Sequence, residues 1–554
     1  MLDPKKNRLD YGEQLIPPEG YELSFAVGTT YSLDLEALMV LPVALFYSQT
    51  LDVNPGELRY DMLEAITKAA EKITVYCQKG KINVPKTYHY LLAYWEKGIE
   101  EVVLDNYAQS FHPKVWVIRY EAKGLPAKYR AVVTSRNLTF ARDWDVAFSS
   151  EGTAGNEAVN RTKPLVHFIQ YIASKGSRRL PENFIEDLAK VDFDIPDGFR
   201  LINFFPIGIP NPETGVNYAN PLYKKSWNEL LVISPFVDDK TIANFVKSTN
   251  SRPYILSRKE ELDTLNNTSI DNIKAYQFLR FIQEGEFNCE LSEDVSEEPL
   301  MQNLHAKLFI GQNGDYPYWY LGSANATDPA FGRNVEFLIE IKAEGFKQRP
   351  KDIFKLLTSD KNETILFEPY CAEDREFDQE RKELELDFRE IIFNVSRLHV
   401  KGSAEKVENA QVYKLRIEFD AAELIIKNGY KLKLKPLPLK DFNAVETEPG
   451  KVNIIDSFPD FTETQLSTFI KWEIWNDGEP VKQFITQMDF APPEGRLNKI
   501  FSSIINSSDK FIKYITFLLS GNELNVIEEA FSKKDEAVLR GKGNGNDIIA
   551  GIPL

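Results

Sequence analysis

Two stretches of the chain repeat one alternation of apolar and polar positions. From Tyr21, YELSFAVGTTYSLDLEALMVL reads as a strand over Leu23 to Val27, a turn of small residues, Asp34 and then an apolar helix. From Asn228, NELLVISPFVDDKTIANFVKS reads the same way, with a strand over Leu230 to Ile233, a Ser-Pro turn, Asp238 and a helix. Each stretch is followed by a further strand, ITVYC from Ile73 and PYILS from Pro253, and then by a charged helical segment. Each half later holds a strand containing His-x-Lys, a strand ending in Ser-x-Asn, and a strand preceded by an acid. Equal order at nearly constant spacing points to a duplicated unit, and strands alternating with helices predict mixed or parallel sheets covered by helices.

The pattern changes after about residue 370. EDREFDQERKELELDFREIIF predicts a charged linking helix. Short alternating runs such as YKLRIEF, YKLKLKPL and FIKWEIW follow, separated by turn signals at Asn428-Gly429 and Asn476-Asp477-Gly478, and predict an antiparallel sandwich. From Arg496 the pattern is helical and runs into a Gly-rich tail, GKGNGN. The expected organisation is a first half over 1–200, a second over 201–370, a linking helix over 371–395, a β-rich domain over 396–492 and a helical segment with tail over 493–554.

At 554 residues, with 43% hydrophobic and 27% charged positions, the chain has the composition of a folded protein with several cores. Lys and Arg number 66 against 83 Asp and Glu, a formal net charge of -17. That charge excludes a protein that coats a polyanion with its whole surface, so any binding of phosphate must be concentrated locally. The three cysteines are far apart and form no CxxC, which predicts neither a disulfide framework nor a cysteine metal site and fits a reducing compartment. The apolar stretch Leu35 to Phe46 is too short to span a bilayer, and the first residues lack the apolar core of a signal peptide. The expected setting is soluble, cytoplasmic and away from the membrane.

Three of the five histidines open a His-x-Lys triplet: His112/Lys114, His305/Lys307 and His399/Lys401. On a strand, positions i and i+2 share a face, so the triplet places an imidazole beside an ammonium. Around His305, alternation buries Leu304, Ala306, Leu308 and Ile310. Nothing fitting follows His399, which reads as coincidence. After His112 come Ser135, Asn137 and Asp145; after His305 come Ser323, Asn325 and Glu336. The histidines lie 193 positions apart, the asparagines 188 and the acids 191. One His, Lys, Asn, Ser and acid from each half suit phosphodiester chemistry. Lys and Asn can hold non-bridging oxygens, one His can attack phosphorus, the second can protonate the leaving oxygen, and the acids can orient the imidazoles. His89 and His167 read as structural, Asp34 and Asp238 as helix caps, and Ser135 and Ser323 as structural or phosphate-proximal. The acidic stretch from Glu284 to Glu298 reads as a solvated loop that can also shield a cleft.

These residues resemble the phospholipase D superfamily, whose hallmark is two copies of His-x-Lys followed by Asp and by Gly-Ser-x-Asn, joined across a pseudo-two-fold axis. The resemblance covers roughly residues 20–345. The motif Asp is replaced by Arg119 and Gln312, and the first half has Thr134-Ser135 for Gly-Ser. It implies an α/β fold of two pseudo-symmetric mixed-sheet halves. It further implies a metal-independent phosphodiesterase without cofactor, in which His112 attacks to form a phosphohistidine and His305 acts as acid and base. Lys114, Lys307, Asn137 and Asn325 then hold the phosphate, with Asp145 and Glu336 in support. Arg136 and Arg142, with Lys123, Lys128, Arg130 and Arg333, are candidates for a phosphate track. The expected activity is a nuclease on DNA or RNA; by resemblance to bacterial restriction and antiphage effectors, it works with an ATPase or helicase partner. A phospholipase or phosphatidyltransferase of the same superfamily and a non-catalytic binding module are the alternatives, and homo-oligomer formation stays open.

Overall fold

The computed structural model describes residues 14–41, 66–86, 88–141, 143–279, 281–282, 301–345, 348–359, 365–372, 379–427 and 429–505. Arg142, the acidic stretch 284–298, residues 42–46, Asn428 and the C-terminal tail lie outside them.

The first sheet takes β1 (Glu22–Thr30), β2 (Ile73–Gln78), β3 (Ile99–Val102), β4 (Val115–Glu121), β5 (Lys128–Thr134), β6 (Ala147–Ala154) and β7 (Val191–Phe193) in the order 3-2-1-4-5-6-7. The second uses β8 (Phe199–Ile207), β9 (Glu229–Ile233), β10 (Tyr254–Ser257) and β11 (Lys274–Phe278). It continues, after the two-residue pair β12 (Phe281–Ile282) and β13 (Met301–Gln302), with β14 (Leu308–Asn313), β15 (Tyr316–Gly322), β16 (Glu336–Ala343) and β17 (Phe367–Pro369). Its order is 17-11-10-9-14-15-16-8. The six central strands therefore share one order in both sheets, and the pairings agree. The first three strands are parallel, and the next three are antiparallel. The duplicated mixed α/β architecture expected from the sequence is present, and position 200/201 falls inside β8.

Alternation decides how the sheets pack. Val115, Val117, Ala131 and Val133 from the first sheet share one core with Leu308, Ile310, Leu321, Phe337 and Ile339 from the second. The opposite face of the first sheet, with Trp116 and Ile118, packs on the helix over residues 35–41. That of the second, with Val232 and Phe309, packs on the helix Asp239–Ser248 through Ile242 and Phe245. The two sheets therefore share one core, which the helices Lys163–Ala173 and Pro350–Thr358 also enter, while further helices cover their opposite faces.

The helix Gln379–Ser396 leads into two antiparallel sheets. One holds β18 (Lys401–Lys406), β19 (Val412–Asp420), β22 (Val452–Ile455) and β23 (Phe461–Thr462). The other holds β20 (Tyr430–Pro436), β21 (Val445–Glu446), β24 (Phe469–Asn476) and β25 (Glu479–Gln487). Ile417, Phe419, Leu432, Leu434 and Trp472 fill the space between them, and Ile391, Ile392 and Val395 of the linking helix join that core. Asp477 and Gly478 both have positive φ, as the two-residue turn between β24 and β25 needs. The sandwich docks on the first half through a buried ion pair, Arg496 Nη2 to Glu96 Oε2 at 2.5 Å, with Ser467 Oγ also donating to Glu96. Among the described residues no helix is long and apolar enough to cross a membrane.

Candidate active site

His112-x-Lys114 and His305-x-Lys307 lie in extended segments that lead into β4 and β14, one turn of alternation earlier than strands containing the triplets. Pro113 and the cross-half contacts explain the early position, because these segments pair with the other half rather than with their own sheet. Phe111 bridges Val335, and Trp144 bridges Leu304, both in parallel sense. His112 N donates to Val335 O at 2.9 Å, and His305 N donates to Trp144 O at 3.0 Å. The segment before each histidine is thus laid against the segment before the other half's acid.

That crossing fixes the imidazoles. His112 Nδ1 lies 3.0 Å from Glu336 Oε2 and 3.1 Å from Ser323 O. His305 Nδ1 lies 2.8 Å from Asp145 Oδ1. Carboxylate and carbonyl oxygens only accept, so each Nδ1 carries the proton and each Nε2 keeps its lone pair. Ser135 Oγ donates to Asp145 Oδ1 at 2.6 Å and accepts from Val146 N; Ser323 Oγ donates to Glu336 Oε2 at 2.5 Å and accepts from Phe337 N. Both hydroxyls are fully engaged in holding the acids, which fits a structural role.

The lysines are desolvated. Lys114 is 1% exposed and Lys307 0%. Lys114 Nζ donates to His112 O at 2.8 Å and Lys307 Nζ to His305 O at 2.6 Å, leaving donors on each ammonium for an anion. Burial drives the Lys114 amine well below the usual lysine range, against the pull of Glu336. Burial takes Lys307 down to about 7, opposed by Asp145 and Glu336. Both histidines are also pushed down, His112 by burial, with Lys114 adding to the push, and His305 by burial and then Lys307. Burial works to raise the Asp145 carboxyl, but His305, Arg136 and Lys307 outweigh it and hold it below the ordinary value. Burial thus disfavours charge on the His305 ring, while its neighbours favour charge on Asp145. Asn137 Oδ1 and Asn325 Oδ1 are buried without a hydrogen-bond partner, so neither amide is fully satisfied within the protein.

The loops that carry these asparagines are hung identically in the two halves. Leu138 N donates to Thr30 Oγ1 and Ala326 N to Ser234 Oγ, each at 2.9 Å. Phe140 N donates to Asp34 Oδ2 at 3.0 Å and Asp328 N to Asp238 Oδ2 at 2.5 Å. Asp238 also caps its helix, accepting from Thr241 N, as the sequence suggests, while Asp34 instead takes a bond from Asn83. The tether is the unforeseen part. Its signal was present in the paired Thr-x3-Asp and Ser-x3-Asp at the ends of the repeated strands.

The Gly-Ser of the second half, and the residues that stand apart from the pattern, have local causes. A Cβ at Gly322 would stand 2.1 Å from Phe337 O, so only glycine fits there. Thr134 in the first half uses its hydroxyl to accept from Arg136 N at 3.0 Å, forming a small turn. Arg119 binds Glu121 and Asp187, and Gln312 donates to Gly314 O, both as structural contacts.

The basic track needs correction. Arg136 lies close enough to Asp145 to stabilise its charge. Lys123 and Lys128 are at the far end of the β4–β5 hairpin, and Arg130 lies opposite Ile118 midway along it. β4 has seven residues, so at about 3.3 Å per residue the hairpin turn lies roughly 20 Å beyond Val115, where the strand begins. Arg130 is paired with Glu151, and Lys128 lies over Tyr21. Arg333 sits nearer, its carbonyl accepting from Gln109. Arg142 is outside the described residues. His399 is 68% exposed beside Asp489, away from the paired site; His167 is bonded to Tyr218, and His89 caps a short helix. Tyr31, whose ring centroid is 5.1 Å from that of His112, carried no sequence signal. Among the described residues there is no cluster of His, Cys, Asp and Glu that can hold a metal ion.

The chain was compared with known proteins. No family profile matches it, and no curated protein matches it in sequence. Among solved structures it is similar to the yeast tyrosyl-DNA phosphodiesterase, at 14% identity and a TM-score of 0.35 over 60% of this chain and 84% of that one. An H432N_Glu mutant of the yeast enzyme gives 11% and 0.37 over 60% and 84%. The phosphatidylserine synthase of Haemophilus influenzae Rd KW20 gives 9% and 0.31 over 60% and 80%.

Proposed function

We propose that this chain is a phosphodiesterase of the phospholipase D type and, within that class, a nuclease that cleaves DNA or RNA through a phosphohistidine. The observation that carries the reading is the reciprocal pairing of His112 with Glu336 and His305 with Asp145 around two buried lysines. An imidazole with its proton held on Nδ1 presents a nucleophilic Nε2 at neutral pH. A second imidazole of the same kind can exchange a proton with a leaving oxygen or with water. Lys114, Lys307, Asn137 and Asn325 stand ready to take the charge on the non-bridging oxygens, where low dielectric strengthens every contact.

In the first step His112 Nε2 forms a bond to phosphorus as the bond to the leaving oxygen breaks, and His305, in its protonated form, gives that oxygen a proton. In the second, neutral His305 takes a proton from water, whose oxygen bonds to phosphorus as the N–P bond breaks. Each step conserves charge: His305 gives its proton to the leaving oxygen in the first and regains one from water in the second. The bound diester anion offsets the desolvation that keeps His305 neutral in the free site.

Incubation of the purified chain with labelled DNA and RNA in EDTA tests the reading. Cleavage that is lost in His112→Ala and His305→Ala supports it; absence of cleavage of either polymer removes it. Co-purification from the native host tests the expected ATPase or helicase partner.

A further inference from the structure

The turn leaving β2 carries Lys79, Gly80 and Lys81. Gly80 has φ +80°, and a Cβ there would stand 2.5 Å from Ile392 of the linking helix. Glycine is what lets the helix Gln379–Ser396 settle onto this turn, and Lys79 and Lys81 flank Gly80 in sequence. The contact leaves a cleft at the carboxyl ends of β2 and β3, lined by Lys79, Lys81, Gln109 and Arg389 with Tyr107 and Phe393 as aromatic walls. Arg389 Nη2 donates to Gln109 O and Ser110 Oγ, each at 3.0 Å. Lys79 reaches Leu398 O at 3.4 Å and feels the charge of Glu101. Among the described residues none of the three cations forms an ion pair. Glu101, whose carboxyl burial pushes up to about 7, offsets only part of these three charges, so the cleft keeps positive charge for an anion from elsewhere.

One aromatic ring, Tyr31, stands between Lys81 of the cleft and His112. Lys81 Nζ is 5.3 Å from the centroid of Tyr31, and the Tyr31 ring is 5.1 Å from His112. Gln109 and Ser110, held by Arg389, run directly into Phe111 and His112. A strand whose phosphate sits at His112 would pass Tyr31 and bring its next phosphates over Lys81 and into the cleft. A cationic groove with aromatic walls is the usual means of holding a single strand without reading its sequence. The equivalent turn in the second half differs. Arg258 there points inward, donating to Leu304 O, and the chain continues into a short helix.

We propose that this cleft binds the phosphates flanking the scissile one on a single polynucleotide strand, and that the linking helix completes it with Arg389. The proposal rests on the nuclease reading for the identity of the strand. It gives the segment after residue 370 a part in substrate binding.

Binding is tested on the full chain carrying His112→Ala, which leaves the strand intact. Fluorescence anisotropy with labelled oligothymidine and oligouridine is measured over a range of salt, with and without Lys79→Ala/Lys81→Ala. The expected result is a Kd raised about tenfold or more and a slope of log K against log salt reduced by about 1.4, which is 0.7 for each lost contact on a single strand. Lys79→Arg/Lys81→Arg is expected to restore both. An unchanged Kd and slope in the alanine variant overturns the proposal, as does loss of binding in the arginine variant when its melting temperature is normal. Cleavage by the wild-type chain is the separate arm: binding that depends on the lysines without cleavage of either strand defeats the nuclease reading and leaves the cleft standing.

Discussion

Replacing Lys307 by Met should stabilise the protein at mildly acidic pH while abolishing its activity. The side chain is fully buried, and its ammonium donates one bond, to His305 O at 2.6 Å. Its proton affinity falls from the ordinary 10.5 to about 7 because burial outweighs the attraction of Asp145 and Glu336. At 1.36 kcal/mol per tenfold change in affinity, that fall corresponds to about 5 kcal/mol spent on keeping the charge inside. Below pH 7 the lysine is charged in both states, and the folded chain carries the whole cost. Between pH 7 and 10.5 the folded chain releases the proton while the unfolded chain holds it, so stability rises with pH. Above that range both are neutral and the cost is gone. Methionine keeps the apolar stem and removes the charge, so the variant should gain about 2 kcal/mol or more at pH 6, a rise of several degrees in melting temperature. The assay is thermal unfolding of both proteins from pH 6 to 10, with diesterase activity measured alongside. A melting temperature below wild type at pH 6, or a difference that does not shrink with rising pH, refutes the reasoning.

Other expectations follow from the same contacts. Glu336→Gln cannot hold the His112 tautomer as a carboxylate does, and kcat should fall about a hundredfold or more with KM little changed, measured by steady-state hydrolysis. Double-mutant cycles should show strong coupling of His112 with Glu336 and of His305 with Asp145, and near additivity for His112 with Asp145; the reverse pattern contradicts the crossed pairing. Thr30→Val and Ser234→Ala should each lower kcat/KM about tenfold by releasing the asparagine loops, with Thr30→Ser near wild type. Because both histidines are pushed below the ordinary value of about 6.5, the protonated His305 that the first step needs becomes abundant only as pH falls. The profile of kcat/KM should therefore peak on the acid side of neutrality, and an alkaline optimum counts against the assignment.

Much of this arrangement was legible in the sequence because duplication prints every element twice. The duplicated succession of strands and helices, the sandwich and the matching residue sets around His112 and His305 follow from alternation and from spacing near 190 residues, while the order of strands within each sheet does not. What spacing could not show is which acid serves which imidazole. Crossing arises from the parallel bridges Phe111–Val335 and Trp144–Leu304, and such contacts depend on how the halves pack. The same reason hid Tyr31, which lies in a turn and meets His112 only in three dimensions. Charge counting grouped Lys123, Lys128 and Arg130 with Arg136, Arg142 and Arg333 by nearness in sequence, but the seven-residue β4 carries Lys123 and Lys128 away from His112. Lys79, Lys81 and Arg389 come from segments 308 residues or more apart and meet only because Gly80 admits the linking helix.

The central claim is that the two halves form one phosphodiesterase centre in which His112 is the nucleophile. It is tested most directly by quenching the enzyme under denaturing conditions during turnover of a labelled oligonucleotide and mapping covalent adducts by mass spectrometry. The account predicts the phosphoryl half of the substrate on His112, no adduct in His112→Ala, and slower decay of the adduct in His305→Ala, which lacks the group that activates water. Turnover with no adduct on either histidine, or an adduct on His305 in place of His112, contradicts it.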